Sequence, residues 1–162
     1  MRNLYSLLSV LLVSVFIVFA SCGDPDDPAL TDTQERAKAL SGGSWSQSTG
    51  TSVTVPDGVD PTILDNLTLV FGADADHNPT SFSSTGAPDF FTTSSSSTWS
   101  LSSVDAISLT NVEGGVSSIT IGSGFSDTQM TLSFRFTTPA GRLAGGERIS
   151  ALDGDYIIEM TK

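Results

Sequence analysis

The sequence predicts an all-β domain: an antiparallel meander of about eight strands, preceded by one short helix. Three observations predict it. From Ser44 onward apolar residues recur at every second position, as in Leu67, Leu69 and Phe71, or in Met130, Leu132, Phe134 and Phe136. That period puts alternate side chains on opposite faces, the pattern of a strand buried on one side. The runs are short and are separated by breakers: Asp74-Ala75-Asp76-His77-Asn78-Pro79, Glu113-Gly114-Gly115 and Gly122-Ser123-Gly124. No helical pattern lies between them, so consecutive strands join directly. Such a meander closes as a barrel or folds as a sandwich. The closed barrel is the expectation, because closure removes the strand edges that invite aggregation.

The elements follow in order. Asp32 to Leu40 (DTQERAKAL) is the one helix pattern. Thr31 or Asp32 caps it, Glu35 falls in its first turn, Ala37 and Leu40 give a thin apolar face, and Gly42-Gly43 stops it. A helix this short needs the rest of the domain for stability. Strands are expected near 44–55, 65–71, 80–85, 97–102, 105–110, 116–121, 128–137 and 154–161. Trp45 opens the first. Trp99 and Leu101 mark the fourth, Ile107 and Leu109 the fifth, and Ile119 and Ile121 the sixth. Tyr156, Ile158 and Met160 mark the last. Three connections are long. Val55 to Leu64 holds Pro56, Gly58 and Pro61. Thr85 to Ser97 holds Gly86, Pro88 and Phe90-Phe91, and leads into the tract Thr92 to Thr98, which reads as a flexible loop. Thr138 to Leu152 holds Pro139, Gly141, Gly145 and Gly146. Loops of this length are uncommon unless functional or mobile.

In front of the domain, Met1-Arg2-Asn3 is short and basic, and Leu4 to Ala20 is almost entirely apolar. This is the layout of a secretory signal. The run reaches the ~17-residue lower limit for spanning a bilayer, so its length alone leaves a membrane anchor open. The next residues decide. Phe19-Ala20-Ser21-Cys22 resembles the bacterial lipobox, although Leu is commoner in the family at the place of Phe19. The resemblance implies cleavage before Cys22 and lipidation of its thiol and new amino group. Cys22 is the only cysteine; it cannot close an internal disulfide, and lipidation gives it a use. Two or more acyl chains anchor stably, at about 0.8 kcal/mol per buried methylene. The expected organisation is therefore a signal peptide over 1–21, an acidic tether over 22–31 and a single β-barrel domain with its short helix over 32–162. Asp24, Asp26 and Asp27, broken by Pro25 and Pro28, can form neither helix nor buried strand. The tether also resembles that of Bacteroidota-type lipoproteins. There, acidic residues after the cysteine direct transfer to the outer face of the outer membrane. The implied location is the outer membrane, at the cell surface, with its periplasmic face as the alternative.

The formal charge is −11. Removing residues 1–21 takes away Arg2 and no acid, which lowers it by one. A surface this acidic repels phosphate backbones, which excludes nucleic acid as a partner.

Order and motifs together resemble a family. A lipobox and acidic tether lead to a helix ending in Leu40-Ser41-Gly42, then Trp45, then Leu67-Thr68-Leu69-Val70-Phe71. Ser97-Thr98-Trp99-Ser100-Leu101, Met130-Thr131-Leu132-Ser133-Phe134 and a closing Gly154-Asp155-Tyr156-Ile157-Ile158 follow. This is similar to the lipocalin-like lipoproteins of Bacteroidota, over most of residues 22–162. The resemblance implies an up-and-down, calycin-type barrel capped by its amino-terminal segment. Gly43-Ser44-Trp45 fits the family's Gly-x-Trp, which packs at the closed end. The family's ligand-contacting residues do not carry over one by one.

Little in the chain points to chemistry. Asp74-x-Asp76-x-Asn78 has the alternating oxygens of a calcium loop, but Pro79 and Thr85 stand where that loop needs Gly and Glu, so a polar turn is expected. His77 is the only histidine, with no partner nucleophile and no Cys/His cluster for zinc. No Gly-x-Ser-x-Gly elbow is present. The expectation is a non-enzymatic protein, with no catalytic residue, metal site or cofactor assigned. Trp45, Phe90, Phe91 and Trp99 are the candidate ligand-binding residues, against the alternative that they fill the core. Two functions follow: a barrel binding a small apolar or amphipathic ligand, or a surface-displayed module with a filled core that binds a protein or a glycan. An eight-stranded barrel permits both. A glycan site would need an exposed aromatic face.

Overall fold

The computed structural model describes residues 29–47, 53–87, 90–138 and 152–162. The expected signal peptide, Cys22 and the tether up to residue 28 lie outside the described residues. So do 48–52 of the expected first strand and 139–151 of the third long connection.

Helix α1 (Asp32–Ser41) begins as the sequence demands, with Thr31 as its cap. The Thr31 hydroxyl accepts from the Gln34 amide while the Gln34 side chain accepts from the Thr31 amide, a reciprocal capping box. Only Ala37 and Leu40 of the helix are fully buried, and Gly42 ends it. Eight strands follow: β1 (Ser44–Gln47), β2 (Thr68–Ala73), β3 (Pro79–Thr85), β4 (Thr98–Ser103), β5 (Ala106–Thr110), β6 (Ser118–Ile121), β7 (Gln129–Phe136) and β8 (Gly154–Thr161). They pair antiparallel in chain order, and β8 returns to β1, so the sheet is a closed barrel rather than a sandwich. The strand boundaries lie within three residues of the expected ones, and β8 coincides with its expected range. The exception is β1, which ends at Gln47; beyond it Thr54 makes an isolated bridge to Ile157. Within the connection from β1 to β2, Pro61–Leu64 forms a short 3-10 turn capped by Asp60.

The period-two pattern becomes an inside and an outside. Leu69, Phe71, Phe82, Trp99, Ile107, Ile119, Leu132, Phe134, Tyr156 and Ile158 point into one continuous core. The alternate positions Ser83, Thr98, Ser100, Thr110, Ser118 and Thr120 are exposed hydroxyls. They satisfy the water-facing side without setting like charges opposite one another.

The seams of the barrel differ. β7 and β8 pair along their whole length, from Gln129 opposite Thr161 to Phe136 opposite Gly154. β3 and β4 share register only at Ser81 opposite Thr98. Past that point a loop takes over: the Ser84 amide donates to the Thr93 hydroxyl and the Ser84 hydroxyl donates to the Phe91 carbonyl, at 3.3 and 2.6 Å.

Candidate functional site

An antiparallel meander alternates its connections between two ends, and the two ends of this barrel are closed differently. The helix end holds the turns β2–β3, β4–β5 and β6–β7, the start of β1 and the finish of β8. Here α1 is fastened mainly by polar contacts. The Trp45 indole N–H donates to the Leu40 carbonyl at 2.8 Å, and Lys162 Nζ donates to the Ala39 carbonyl at 2.5 Å. Lys162 also stands 4.7 Å above the Trp45 ring. Arg36 pairs with Asp105 at 3.3 Å and lies 3.9 Å over the Phe125 ring, itself 6.0 Å from Trp45. The Gln34 side chain donates to the Asp76 carbonyl of the β2–β3 turn.

That turn is the expected polar turn. One Asp74 carboxylate oxygen accepts from the Asp76 and Asn78 amides at 3.0 and 2.8 Å, and the Asn78 side-chain amide donates to both oxygens. These bonds, Asn78's foremost, hold the Asp74 carboxyl below its ordinary pKa of 3.8. Both Asp74 oxygens thus accept from the turn's own N–H groups. Among the described residues, no group of three or more His, Cys, Asp or Glu side chains could hold a metal ion. His77 sits half-buried in the same turn at φ 61°.

The opposite end carries the long connections, and a loop closes it. Between β3 and β4 the chain turns inward at Phe90 and Phe91, which are 0 % and 2 % exposed. The Phe90 ring centroid lies 4.9 Å from Phe136, 5.0 Å from Tyr156 and 6.1 Å from Phe134. Phe91 lies 5.2 Å from Phe134 and 6.2 Å from Phe82. Most of these pairs are tilted or edge-on, the arrangement aromatic quadrupoles favour. Phe134 and Tyr156 instead stack within 8°. The Tyr156 hydroxyl donates to the Leu152 carbonyl at 2.6 Å, and burial, with the Asp153 carboxylate second, pushes its pKa up to about 12.

The loop is tied at several points. Both Phe90 and Phe91 amides donate to the Ala87 carbonyl, and Thr92 bridges Glu113. Gly114, at φ +154°, lets the Phe90 carbonyl approach so closely that a Cβ there would lie 2.2 Å from its oxygen. The Ser/Thr tract, expected to be flexible, is organised by its one buried serine. Ser97 donates to the Asn111 carbonyl at 2.6 Å and accepts from the Ser94 amide at 2.9 Å. Asn111, at φ 54°, returns a bond to the Ser96 carbonyl at 3.0 Å.

The four candidate aromatics therefore do not converge on one site. Phe90 and Phe91 close the loop end. Trp99 stands deeper, 5.0 Å from Phe71, with its indole N–H on the Gly72 carbonyl at 2.7 Å. Trp45 closes the helix end. All four are 3 % exposed or less. The residues that fasten them were not singled out from sequence as functional: Arg36, Phe125 and Lys162 at one end, Phe134 and Phe136 at the other. The alternation marks Phe134 and Phe136 as core, but nothing local pairs Lys162 with Trp45. Cys22 lies outside the described residues. Surface grooves flank α1 outside the barrel, among them one of about 850 Å3 bordered by Leu30, Gln34 and His77 and one of about 460 Å3 bordered by Lys38, Asp127 and Lys162. Comparison with protein-family models, curated proteins and solved structures gives no match.

Proposed function

We propose that this chain is a non-enzymatic, lipid-anchored protein of the bacterial cell envelope that acts as an interaction module. Its barrel is a filled scaffold, and its loops carry the contacts. The observation that carries this reading is the Phe90–Phe91 pair: the space a small apolar ligand would take at the loop end is occupied by the chain's own rings. The anchor is supported by the lipobox-like sequence ending in Cys22, and the surface location by the acidic tether. Of the two partner classes expected from sequence, a protein is favoured over a glycan, because Trp45, Phe90, Phe91, Trp99 and Tyr156 offer no exposed ring for a sugar to stack on.

One observation favours the second reading, a lipocalin-like carrier of a small apolar ligand. Phe90 and Phe91 come from a loop beside the least paired seam, so these two rings can leave the core without unpairing a strand. The two readings separate when a long-chain fatty acid is titrated into residues 23–162 while tryptophan emission, from Trp45 and Trp99 together, is followed. The module reading expects no saturable change; a stoichiometric change would establish the carrier. The anchor is tested apart from this, by the mass of the amino-terminal peptide from the envelope fraction. An acylated Cys22 is expected, and Cys22→Ala should release the protein. A processed Cys22→Ala chain that stays membrane-bound in high salt would sink the anchor.

A further inference from the structure

We infer that the barrel is held with its helix end toward the membrane and its loop end away from it. The inference rests on attachment at Cys22, argued above, and gives that attachment a direction. Nine residue steps separate Cys22 from Thr31, the cap of α1. At most ~3.3–3.6 Å per residue, they span no more than about 30 Å. The chain enters the domain at the helix end, where Gln34 is bonded to Asp76, Arg36 to Asp105 and the α1 carbonyl of Ala39 to Lys162. To put the loop end on the membrane, the tether would have to run back along the barrel wall. Strands of eight residues such as β7 and β8, tilted as barrel strands are, make that wall about 20 Å tall. That would consume roughly two thirds of the tether's reach.

Charge sets the distance. Asp32, Glu35, Asp74, Asp76 and Asp127 are exposed at the helix end, and Asp24, Asp26 and Asp27 precede them. The cations among them are engaged at this end: Arg36 on Asp105 and Lys162 on the Ala39 carbonyl. Lys38 remains beside them. An anionic lipid surface repels this end within a screening length of about 10 Å. The barrel therefore stands off the surface. The helix-end turns are short, at 74–78, 104–105 and 122–128. At the other end the connections at 48–67, 86–97 and 137–153 are longer, while 111–117 matches 122–128 in length. Long loops on a rigid scaffold are where recognition is usually placed, and this orientation turns the strand ends that carry them away from the membrane.

Energy transfer to a membrane tests the direction. The chain 22–162 is coupled through Cys22, its only thiol, to a maleimide lipid in phosphatidylcholine vesicles carrying an acceptor-labelled lipid. A donor is attached to p-azidophenylalanine replacing the exposed Ser123 of the helix end or the exposed Ser95 of the loop end. Transfer from position 123 should exceed that from 95 by at least about twofold, given the barrel's height. Exchanging a tenth or so of the lipid for phosphatidylglycerol should lower transfer from both positions at low salt, and salt should restore it. Equal transfer from the two positions, or more from 95, would overturn the orientation. Ala75 and Asp57 give a second exposed pair if either serine variant misfolds. Because coupling is chemical, the result does not depend on acylation in cells. An unacylated Cys22 peptide from the envelope would overturn the anchor and leave the directed transfer standing.

Discussion

The two ends of the barrel perform the same task, keeping water out of an aromatic core, by different physics. At the helix end the seal is directional. Two side-chain N–H donors, from Trp45 and Lys162, meet the last carbonyls of α1, and Arg36 lies over Phe125. Each bond contributes about 1 kcal/mol net, and the helix buries little apolar surface beyond Ala37 and Leu40. At the loop end the seal is area. Two phenyl rings sit among Phe82, Phe134, Phe136 and Tyr156, and burying each stabilises by several times a single hydrogen bond. A helix can be fastened by its own unpaired carbonyls, whereas a loop has no such row of acceptors and must contribute side chains. The difference explains why the ring pair lies in the long connection and the cations lie beside the helix.

Substitutions at the two ends should break this contrast in order of size. Phe90→Ala should cost about 3–5 kcal/mol in urea unfolding of residues 23–162, the range for a fully buried aromatic. A cost under about 1 kcal/mol would mean the rings do not fill the end. Alkali should act next, and at the same end. Tyr156 has its folded pKa raised from 10.0 to about 12, so the folded state resists losing the phenolic proton. Its contribution is complete below pH 10 and is lost as pH rises toward 12. Stability that stays flat across that window would remove Tyr156 from the core. Trp45→Phe keeps a ring but strips the donor from the Leu40 carbonyl; a loss of about 1–2 kcal/mol is expected, with hydrogen exchange accelerating in α1 ahead of β7 and β8. Uniform acceleration would deny the helix end any independence. Arg36→Gln should have the smallest effect, under about 1 kcal/mol and diminishing in salt, because its partner Asp105 is largely exposed. A larger, salt-insensitive loss would show that packing on Phe125 dominates.

Much of this architecture was legible in the residues themselves. Alternation at Leu69 and Phe71, or at Leu132 and Phe134, dictates which side chains face inward, and the breakers between strands dictate the meander. Barrel closure followed from an edge argument, and the β8-to-β1 pairing of Thr161 with Ser46 bears it out. The N-terminal end of the helix was legible because a cap is a local interaction, but the residues left Thr31 and Asp32 both open, and the reciprocal bond with Gln34 selects Thr31. What was illegible is non-local. Nothing near Lys162 in the chain says that its ammonium will lie over Trp45. Nothing near Ser97 says that Asn111 will turn a flexible-looking tract into a bonded one. The turn at Asp74 was legible as a turn, because Asp, Asn and Pro crowd into it.

The central claim is that the barrel is filled by its own chain and acts through its loops. Native mass spectrometry on residues 23–162, purified from the periplasm of a host without denaturation, tests it most directly. A bare protein mass after desalting is the predicted result, with Phe90 and Phe91 occupying the loop end. A stoichiometric apolar adduct that survives desalting, and that shifts the emission of the buried tryptophans, would contradict it and make the protein a carrier.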